Sequence, residues 1–526
     1  MDLIGGDLSQ AVVFSMSTPL KYAYDAIPEP PVSPAAPLVS ALAARAPLDG
    51  LDRISRLPDQ ILRNIVSHLL AKDAARTSAL ASRWRGIWRS APLTLVDAHV
   101  LPDCVPAGQP TPGGEGAVSK AAVGAVSRAL AAHPGPVRCF RFTRGHMASH
   151  QAEVESWLKL LAAKGVEDLV FFNLPWPLDL PLPAALFSCG ASLTSLHLGA
   201  WRFPDTAALP RSARFPNLKD LVLSFMVMRD RDLNFLLDRS PVLENLAVIS
   251  AQTRVGLRVV SRNLRCLQLG LCILEDVAVV DAPLLESLFL YMISPHGKSP
   301  TPWIKIGHAP NLRMLGYWQP GNQELQIGNT IIKADTKVSP STIIPSVRDL
   351  SLEVHFDVRN EIKMVPCFLK CFPNVEKLHV FSLNSDEPTG KLNLKFWREA
   401  GRIKCVEQHV KKFVLHEFRG KKSEIVFLQF IAERAQILEQ MVVMVSSDFF
   451  CSADDVIVKL KLLTSAEWAS KEYKLIVFKS PYSSGGSAPW NFGLVSDYPK
   501  RDPFDLVTAD AEHIRGASVL HHRKTL

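Results

Sequence analysis

The chain has 526 residues, of which 47% are hydrophobic and 21% are charged, a composition that excludes a wholly disordered protein. One hydrophobic core rarely serves such a length, so the sequence predicts a multidomain protein. The formal charge is +8, which permits acidic partners without requiring nucleic acid. The 9 cysteines follow no disulfide-framework spacing and favour a reducing compartment, so we expect the protein in the nucleus or the cytoplasm.

Residues 1–50 are rich in alanine and proline and show no helical period, which predicts a disordered leader. No basic residue precedes Lys21, so we expect neither a secretory signal nor an arginine-rich transit peptide. The longest uncharged run, residues 180–201, is interrupted by proline and glycine and predicts no membrane span. We therefore expect no membrane contact.

Residues 51–95 predict a small all-α domain of three helices. Apolar residues at three- and four-residue steps give the first helix one apolar face: Ile61, Leu62, Ile65 and Leu69. Trp84 and Trp88 share a face of the third helix. So short a domain rarely buries this much apolar side chain alone, so we expect a partner protein to cover part of it. An internal core of three helices is the alternative for the two tryptophans.

Residues 96–165 predict a proline- and glycine-rich linker followed by the first repeat elements. Residues 166–400 then repeat the pattern apolar-x-x-Leu-x-apolar eight times, with these central leucines: Leu196, Leu221, Leu246, Leu267, Leu288, Leu315, Leu350 and Leu378. The spacing is close to that of leucine-rich repeats and predicts an irregular α/β solenoid of short strands and return helices. We expect the leucines to form the core.

Positions between the core leucines are the candidates for contact with a target, because strand residues alternate between the two faces of a sheet. The candidates are His197, Val222, Gln268, Phe289, Tyr291, Trp318, Glu353, His379 and Phe381. The aromatic members are of the type common at interface hot spots.

Residues 401–480 predict an α+β cap, with a strand at 410–418, an amphipathic helix at 423–440, and further strands at 441–445 and 473–478. Residues 481–526 predict an irregular tail.

Three sequence elements carry a family resemblance. The runs LPDQIL at 57–62, RTS at 76–78 and RWRGIW at 83–88 resemble an F-box. The run CVEQHVKKFVL at 405–415, followed by FRG at 418–420, resembles an FBD domain. With the repeats between them, the chain resembles the plant family that joins an F-box, leucine-rich repeats and an FBD domain.

The resemblance implies a non-catalytic substrate-recognition subunit of an SCF-type cullin-RING ubiquitin ligase, with no cofactor. The F-box would bind a Skp-family adaptor and through it a cullin, while the repeats would bind an unknown target protein for ubiquitination. The residues that would form or support the adaptor surface are Leu57, Pro58, Ile61, Leu62, Ile65, Leu69, Leu80, Trp84, Ile87 and Trp88.

Signals for an enzyme are weak. Residues 297–299 read Gly-Lys-Ser but lack the earlier glycine of a phosphate loop. His146 and His150, like Cys367 and Cys371, stand four apart, but we expect loop histidines and packed cysteines rather than metal ligands. An enzyme of unrecognised type is therefore only a distant alternative.

The basic stretch 391–424 has ten Lys and Arg against four Glu, with four aromatic residues interleaved. A nucleic-acid site would use such a mixture, and so would a solvated surface over core aromatics. The alternative function is therefore a repeat scaffold outside ubiquitin transfer or a basic nucleic-acid-binding protein, although nucleic acid is not the expected partner.

Overall fold

A computed structural model places most of the chain. It describes residues 27, 29–32, 52–101, 115–173, 180–210, 212–291, 302–334, 336–385, 387–390, 392–446, 449–450, 452–480 and 518–520, with backbone alone at 115–117, 453 and 518–520. The rest of the predicted leader and tail, part of the predicted linker and the run 297–299 lie outside these residues. The chain divides into two compact units, Met1–Thr253 and Arg254–Leu526.

The first unit combines helices with one parallel sheet. Its helices are α1 (Asp59–Ser67), α2 (Ala71–Thr77), α3 (Ser82–Ser90), α4 (Asp97–Val100), α5 (Glu115–Ala132), α6 (Gln151–Ala163) and α7 (Asp230–Arg239). Its 3-10 turns are Ile54–Arg56, Met147–Ser149, Ala184–Cys189 and Thr206–Ala208. Its strands are β1 (Leu93–Val96), β2 (Val137–Gly145), β3 (Asp168–Asn173), β4 (Ser195–Gly199), β5 (Asp220–Ser224) and β6 (Asn245–Ile249).

These six strands pair in parallel in chain order. The sheet therefore begins at Leu93, inside the segment predicted as the helical domain, because β1 pairs with β2. The sequence pattern showed neither strand, since the Leu-x-apolar repeat starts only later. The predicted return helix near residue 232 is α7.

The second unit contains a further series of parallel strands. Its strands are β8 (Cys266–Gly270), β10 (Ser287–Tyr291), β12 (Met314–Trp318), β15 (Asp349–His355), β16 (Lys377–Leu383), β17 (Lys412–Phe418), β18 (Gln440–Val445) and β19 (Lys474–Lys479). Each pairs in parallel with the next, and β20 (Ser518–Leu520) pairs antiparallel with β19. The helices are α8 (Arg359–Lys370), α9 (Leu394–Glu399), α10 (Lys404–Gln408), α11 (Lys422–Arg434) and α12 (Ala453–Thr464), with a 3-10 turn at Pro340–Thr342.

The repeats were predicted to combine short strands with return helices, but the described residues between 255 and 331 form no helix. Strands return there instead and form a five-stranded sheet of their own: β7 (Val255–Val260), β9 (Leu274–Asp281), β11 (Trp303–His308), β13 (Glu324–Ile327) and β14 (Thr330–Ile331). The cause is local sequence, because apolar β-branched residues alternate there, as at Val277 and Val279 or Ile304 and Ile306. A period of two favours a strand over a helix.

The predicted cap continues the sheet of the repeats. Strand β17 pairs with β16 over five residues, so the hydrogen-bonding edge of the last repeat is completed by the cap's first strand. Helix α11 ends at Arg434, earlier than predicted, and leads into β18. Among the described residues, none of the helices combines the length and hydrophobicity that crossing a bilayer requires.

Candidate functional site

The small helical domain has its own apolar core. Its fully or nearly buried members are Leu62, Val66, Ala74, Trp84, Ile87 and Ala91. Trp84 is 5% exposed, and its indole N–H donates to the Ser55 hydroxyl at 3.1 Å. The expectation that Trp84 is covered by a partner is therefore wrong, because the domain buries this side chain itself.

The ten predicted adaptor residues divide by exposure. Leu62, Trp84 and Ile87 belong to the core, and Leu57, Leu69 and Trp88 are partly buried against it. Trp88 also meets the ring of His133, the residue directly after α5, edge to face, with centroids 5.1 Å apart. The four exposed members are Pro58, Ile61, Ile65 and Leu80.

Apolar side chains therefore remain in water on this domain. Ile61 is 47% exposed and Ile65 is 38% exposed, and they lie one turn apart on the same face of α1. Leu80, between α2 and α3, is 68% exposed. Ile54 is also exposed, and sequence reasoning missed it because it stands alone in a polar run. These residues are available to a partner, while the core tryptophan beneath them is not.

Arg83 fixes the position of α3 against the start of α1. Its guanidinium donates to the Asp59 carboxylate, at 2.6 Å from Nη2 and 3.0 Å from Nε. It also donates to the carbonyls of Leu57, at 2.7 Å, and Ser55. One side chain therefore holds the turn that carries Ile54 and the helix that carries Ile61.

The second candidate surface was the row of outward positions on the repeats. All nine predicted residues are buried, none more than 3% exposed: His197, Val222, Gln268, Phe289, Tyr291, Trp318, Glu353, His379 and Phe381. The expectation that they face solvent is wrong. Parallel strands place such side chains about 4.8 Å apart, and rings or branched chains at that spacing cover one another.

Trp318 lies on the opposite face from the one predicted. Tyr317 has φ of +58°, and the register of β12 with β15 shifts between Leu315 and Trp318, so that Trp318 pairs opposite Leu352. The shift puts Trp318 in the core, where its ring stacks on Phe368 of α8 at 5.4 Å. Tyr317 takes the face that Trp318 was expected to occupy.

Rings in the second unit form a continuous row on that face. Tyr317 lies between Tyr291, at 4.9 Å between centroids, and Phe381, at 5.4 Å. Phe381 stacks on the His416 ring at 4.0 Å, and His416 Nε2 is 3.2 Å from Nδ1 of His379. The row is a packed layer of the fold.

Glu353 is a buried carboxylate on this face. Glu353 is 3% exposed and accepts a hydrogen bond from the side-chain amide of Gln319 at 2.5 Å. Burial raises the pKa of Glu353 to about 7, against the lowering effect of the Gln319 hydrogen bond and of nearby His355. The carboxyl group therefore titrates near neutrality.

The sequence candidates for metal binding make local contacts. His150 lies 3.6 Å from Glu153, and Cys371, directly after α8, donates to the Cys367 carbonyl. Burial raises the pKa of Cys405 to about 12, so its thiol stays protonated. Within the described part of the chain, no group of three or more His, Cys, Asp or Glu side chains could hold a metal ion.

The basic stretch 391–424 is largely paired. Its ion pairs are Arg398–Glu433, Arg402–Glu407, Lys411–Glu376, Lys395–Glu399, Lys421–Asp357 and Arg419–Glu417. Lys391 lies outside the described residues. Trp397, Phe413 and Phe418 are fully buried, so three of the four aromatics cannot stack on bases. The geometry therefore favours a solvated surface over core aromatics.

Comparison with known proteins places family models over three segments. The F-box domain model matches residues 54–95, the model described as "FBD-associated F-box protein At5g56370, LRR repeats" matches 154–380, and the FBD model matches 398–443. These segments contain the exposed α1 face, the leucine strands and the β17–α11 region, in that order.

Similar proteins are found in Arabidopsis thaliana. FBD-associated F-box protein At4g13985 is 26% identical over 468 residues, covering 81% of this chain and 96% of the relative. F-box/FBD/LRR-repeat protein At1g13570 is 29% identical over 198 residues, covering 38% of this chain and 44% of the relative. FBD-associated F-box protein At4g10400 is 22% identical over 431 residues, covering 79% and 98%. The chain therefore carries an F-box domain, a repeat segment that matches the model of FBD-associated F-box proteins, and an FBD domain, and it is similar to plant proteins named for these domains.

Proposed function

We propose that this protein is the substrate-recognition subunit of an SCF-type cullin-RING ubiquitin ligase. F-box proteins with leucine-rich repeats generally act in this recognition step and are typically non-catalytic, and F-box domains typically bind Skp-family adaptors. In this proposal the F-box binds the adaptor and through it a cullin, and the repeats bind the target. The protein contributes by raising the local concentration of the target and fixing its orientation.

The observation that carries the proposal is the exposed apolar face of α1. Ile61 and Ile65 would each lose water on contact with a partner, and burying an aliphatic side chain is worth about 1.5–3 kcal/mol. Leu80 and Ile54 add further exposed apolar surface in the same domain. Interface energy concentrates in a few such anchors, so the two α1 isoleucines are the residues that we assign to adaptor contact.

Adaptor binding tests the first half of the proposal. The full-length chain is produced with a Skp-family adaptor, and the affinity is titrated for the wild type and for the double variant Ile61→Asp/Ile65→Asp. We expect the double variant to bind at least about 30-fold more weakly, because a charge replaces each apolar contact.

The matched control is Ile331→Asp, since Ile331 is 39% exposed, like Ile65, but lies in β14. The control should bind the adaptor like the wild type. Unchanged affinity of the double variant, or failure of the wild type to bind any Skp-family adaptor, would overturn this half of the proposal.

Target recognition is tested in the same variants. Affinity capture from plant tissue should recover adaptor, cullin and target with the wild-type chain. The Ile61→Asp/Ile65→Asp variant should lose the adaptor and the cullin but keep the target, since the repeats do not include α1. Simultaneous loss of all three partners would contradict the assignment of adaptor binding to the F-box and of target binding to the repeats.

We propose the nucleus or the cytoplasm as the site of action, because the assembly would form there.

A further inference from the structure

Part of the leader contacts the face of strands β3 to β5 on which target residues were predicted. Ile27 packs against Val170 and Phe172 of β3, Ala200 and Phe225. Val170 pairs in register with His197, which pairs with Val222, so the contact lies on the predicted target face. The expectation of a disordered leader is therefore wrong for this described segment.

The surface under Ile27 is a flat apolar floor. Gly199 lies beside Phe172, and a Cβ on Gly199 would be 2.2 Å from the Phe172 ring. The missing side chain therefore lets the ring lie across β4. Ala200 and Phe225, which follow β4 and β5, have φ of +59° and +54° and join the same cluster. All four floor residues are at most 1% exposed.

The segment that begins at Ile27 is rich in proline. Residues 27–32 read Ile-Pro-Glu-Pro-Pro-Val, and Val32 is 8% exposed. Proline fixes φ and favours an extended polyproline conformation, so little entropy is lost on binding. The chain bends at Ile27 and again at Pro31 and Val32. Ile27 is half-buried on the floor, and Val32 is buried.

We propose that this face binds an aliphatic side chain carried by a proline-rich segment, and that Ile27 occupies it in cis, in competition with a target segment of the same chemistry. The identity of the competing partner as a target rests on the function proposed above, but the contact in cis does not. A tethered segment acts at an effective concentration on the order of millimolar. It therefore prevents weak ligands from binding and is displaced by tight ones.

Release of the segment tests the proposal. A fluorescein-labelled peptide with the sequence of residues 24–36 is titrated by anisotropy against the full-length wild type and the full-length Ile27→Asp variant. We expect Ile27→Asp to bind the peptide at least about tenfold more tightly, because its own segment no longer fills the floor. Ile331→Asp is the matched control chain and should bind like the wild type.

Two further samples test whether binding depends on the isoleucine of the peptide and on the apolar floor. A labelled peptide that itself carries Ile27→Asp should not bind any chain. Ala200→Lys, added to the Ile27→Asp chain, should abolish peptide binding while circular dichroism and the thermal midpoint stay close to those of the parent. If this variant does not fold, Val222→Lys in the same background replaces it, since Val222 lies on the same face.

Equal affinity of the wild type and Ile27→Asp, or no binding to either, would overturn the proposal. Adaptor binding is measured on the same preparations. A chain that binds peptide but no adaptor would contradict the ligase function and leave this inference standing, and the reverse result would overturn the inference alone.

Discussion

Arg83 on α3 and Asp59 at the first position of α1 form an ion pair, with 2.6 Å between Nη2 and Oδ1. The two side chains are 42% and 53% exposed, so the pair itself contributes little to stability. Arg83 gains its importance from the carbonyls of Ser55 and Leu57, to which it also donates. The arginine therefore orders the whole segment before α1.

Replacing the two partners should have unequal effects. Asp59→Asn should lower the free energy of unfolding by less than about 1 kcal/mol, because an exposed ion pair is lost. Arg83→Ala should cost about 2 kcal/mol, because charged hydrogen bonds to the backbone are lost as well. Hydrogen exchange by mass spectrometry should show faster exchange at residues 54–57 only in Arg83→Ala. Similar exchange in both variants would contradict this account.

Trp84 should act on folding rather than on adaptor contact. Trp84→Ala removes the largest buried side chain of the helical domain and should destabilise it by about 3–5 kcal/mol. Limited proteolysis within residues 52–91 should report that loss. Trp84→Phe should be milder, and whatever fraction remains folded should bind the adaptor with unchanged affinity. A folded Trp84→Ala chain that no longer binds the adaptor would show that the indole faces the partner.

Glu353 should make the stability of the second unit depend on pH. Burial raises its pKa to about 7, so the folded state holds this proton up to near neutrality while the unfolded chain releases it near the ordinary value for glutamate. Between those two pKa values the folded state binds more protons, and stability therefore falls as pH rises. The contribution is complete below about pH 4.3 and lost above about pH 7.

Glu353→Gln should remove this dependence, because an uncharged amide oxygen still accepts the Gln319 hydrogen bond. Relative to the wild type, the variant should gain on the order of 1–3 kcal/mol at pH 8 and little at pH 4.5. Denaturant midpoints measured across this range give the difference directly. A difference that does not change with pH would show that Glu353 does not hold the proton.

Glu424 should stabilise the cap where α11 begins. This fully buried carboxylate accepts from the backbone N–H of Lys421 at 2.8 Å, the N–H of Arg419 at 3.1 Å and the Ser382 hydroxyl at 2.5 Å. Glu424→Ala leaves these donors unsatisfied and should cost about 3 kcal/mol. Glu424→Gln keeps an acceptor and should cost less.

The measurement for Glu424 is the denaturant midpoint of the full-length chain, with adaptor affinity as the control because α1 is far away in the sequence. Adaptor affinity should be unchanged in both variants. Equal midpoints for Glu424→Ala and the wild type would contradict the role of the carboxylate in joining β16 to α11.

The sequence predicted the core of the repeats correctly. All eight central leucines, from Leu196 to Leu378, are fully buried, because a large aliphatic residue at a fixed repeat position has one favourable place in stacked parallel strands. The domain matches were also predictable, since they depend on short runs such as LPDQIL at 57–62 that the family models match.

The alternation of apolar and polar residues did not predict on which face of the sheet the residues at the strand ends lie. Among the residues that the structure describes, six other than glycine have positive φ at or near the ends of strands: Ala200, Phe225, Ser250, Leu271, Tyr317 and Glu417. Glycine or asparagine would have signalled a left-handed residue, and none of the six is either. Trp318 was therefore assigned to the wrong face, since one left-handed residue reverses the alternation after it.

The burial of the target candidates depends on long-range contacts. Tyr317 meets Phe381 across β15, and Ile27 lies more than 140 residues before Val170 in the sequence. The sequence pattern of one strand does not show which distant residues pack against it. The exposed isoleucines of α1 were easier to find, because helical spacing alone puts Ile61 and Ile65 together.

The short strand β20 bears on how these molecules behave at high concentration. The outer edge of β19 would offer free N–H and C=O groups to any extended chain nearby, and such edges seed polymerisation. Residues 518–520 satisfy three positions of that edge in the antiparallel direction. Residues 518–520 therefore block part of that edge and reduce its ability to pair with a strand of another molecule.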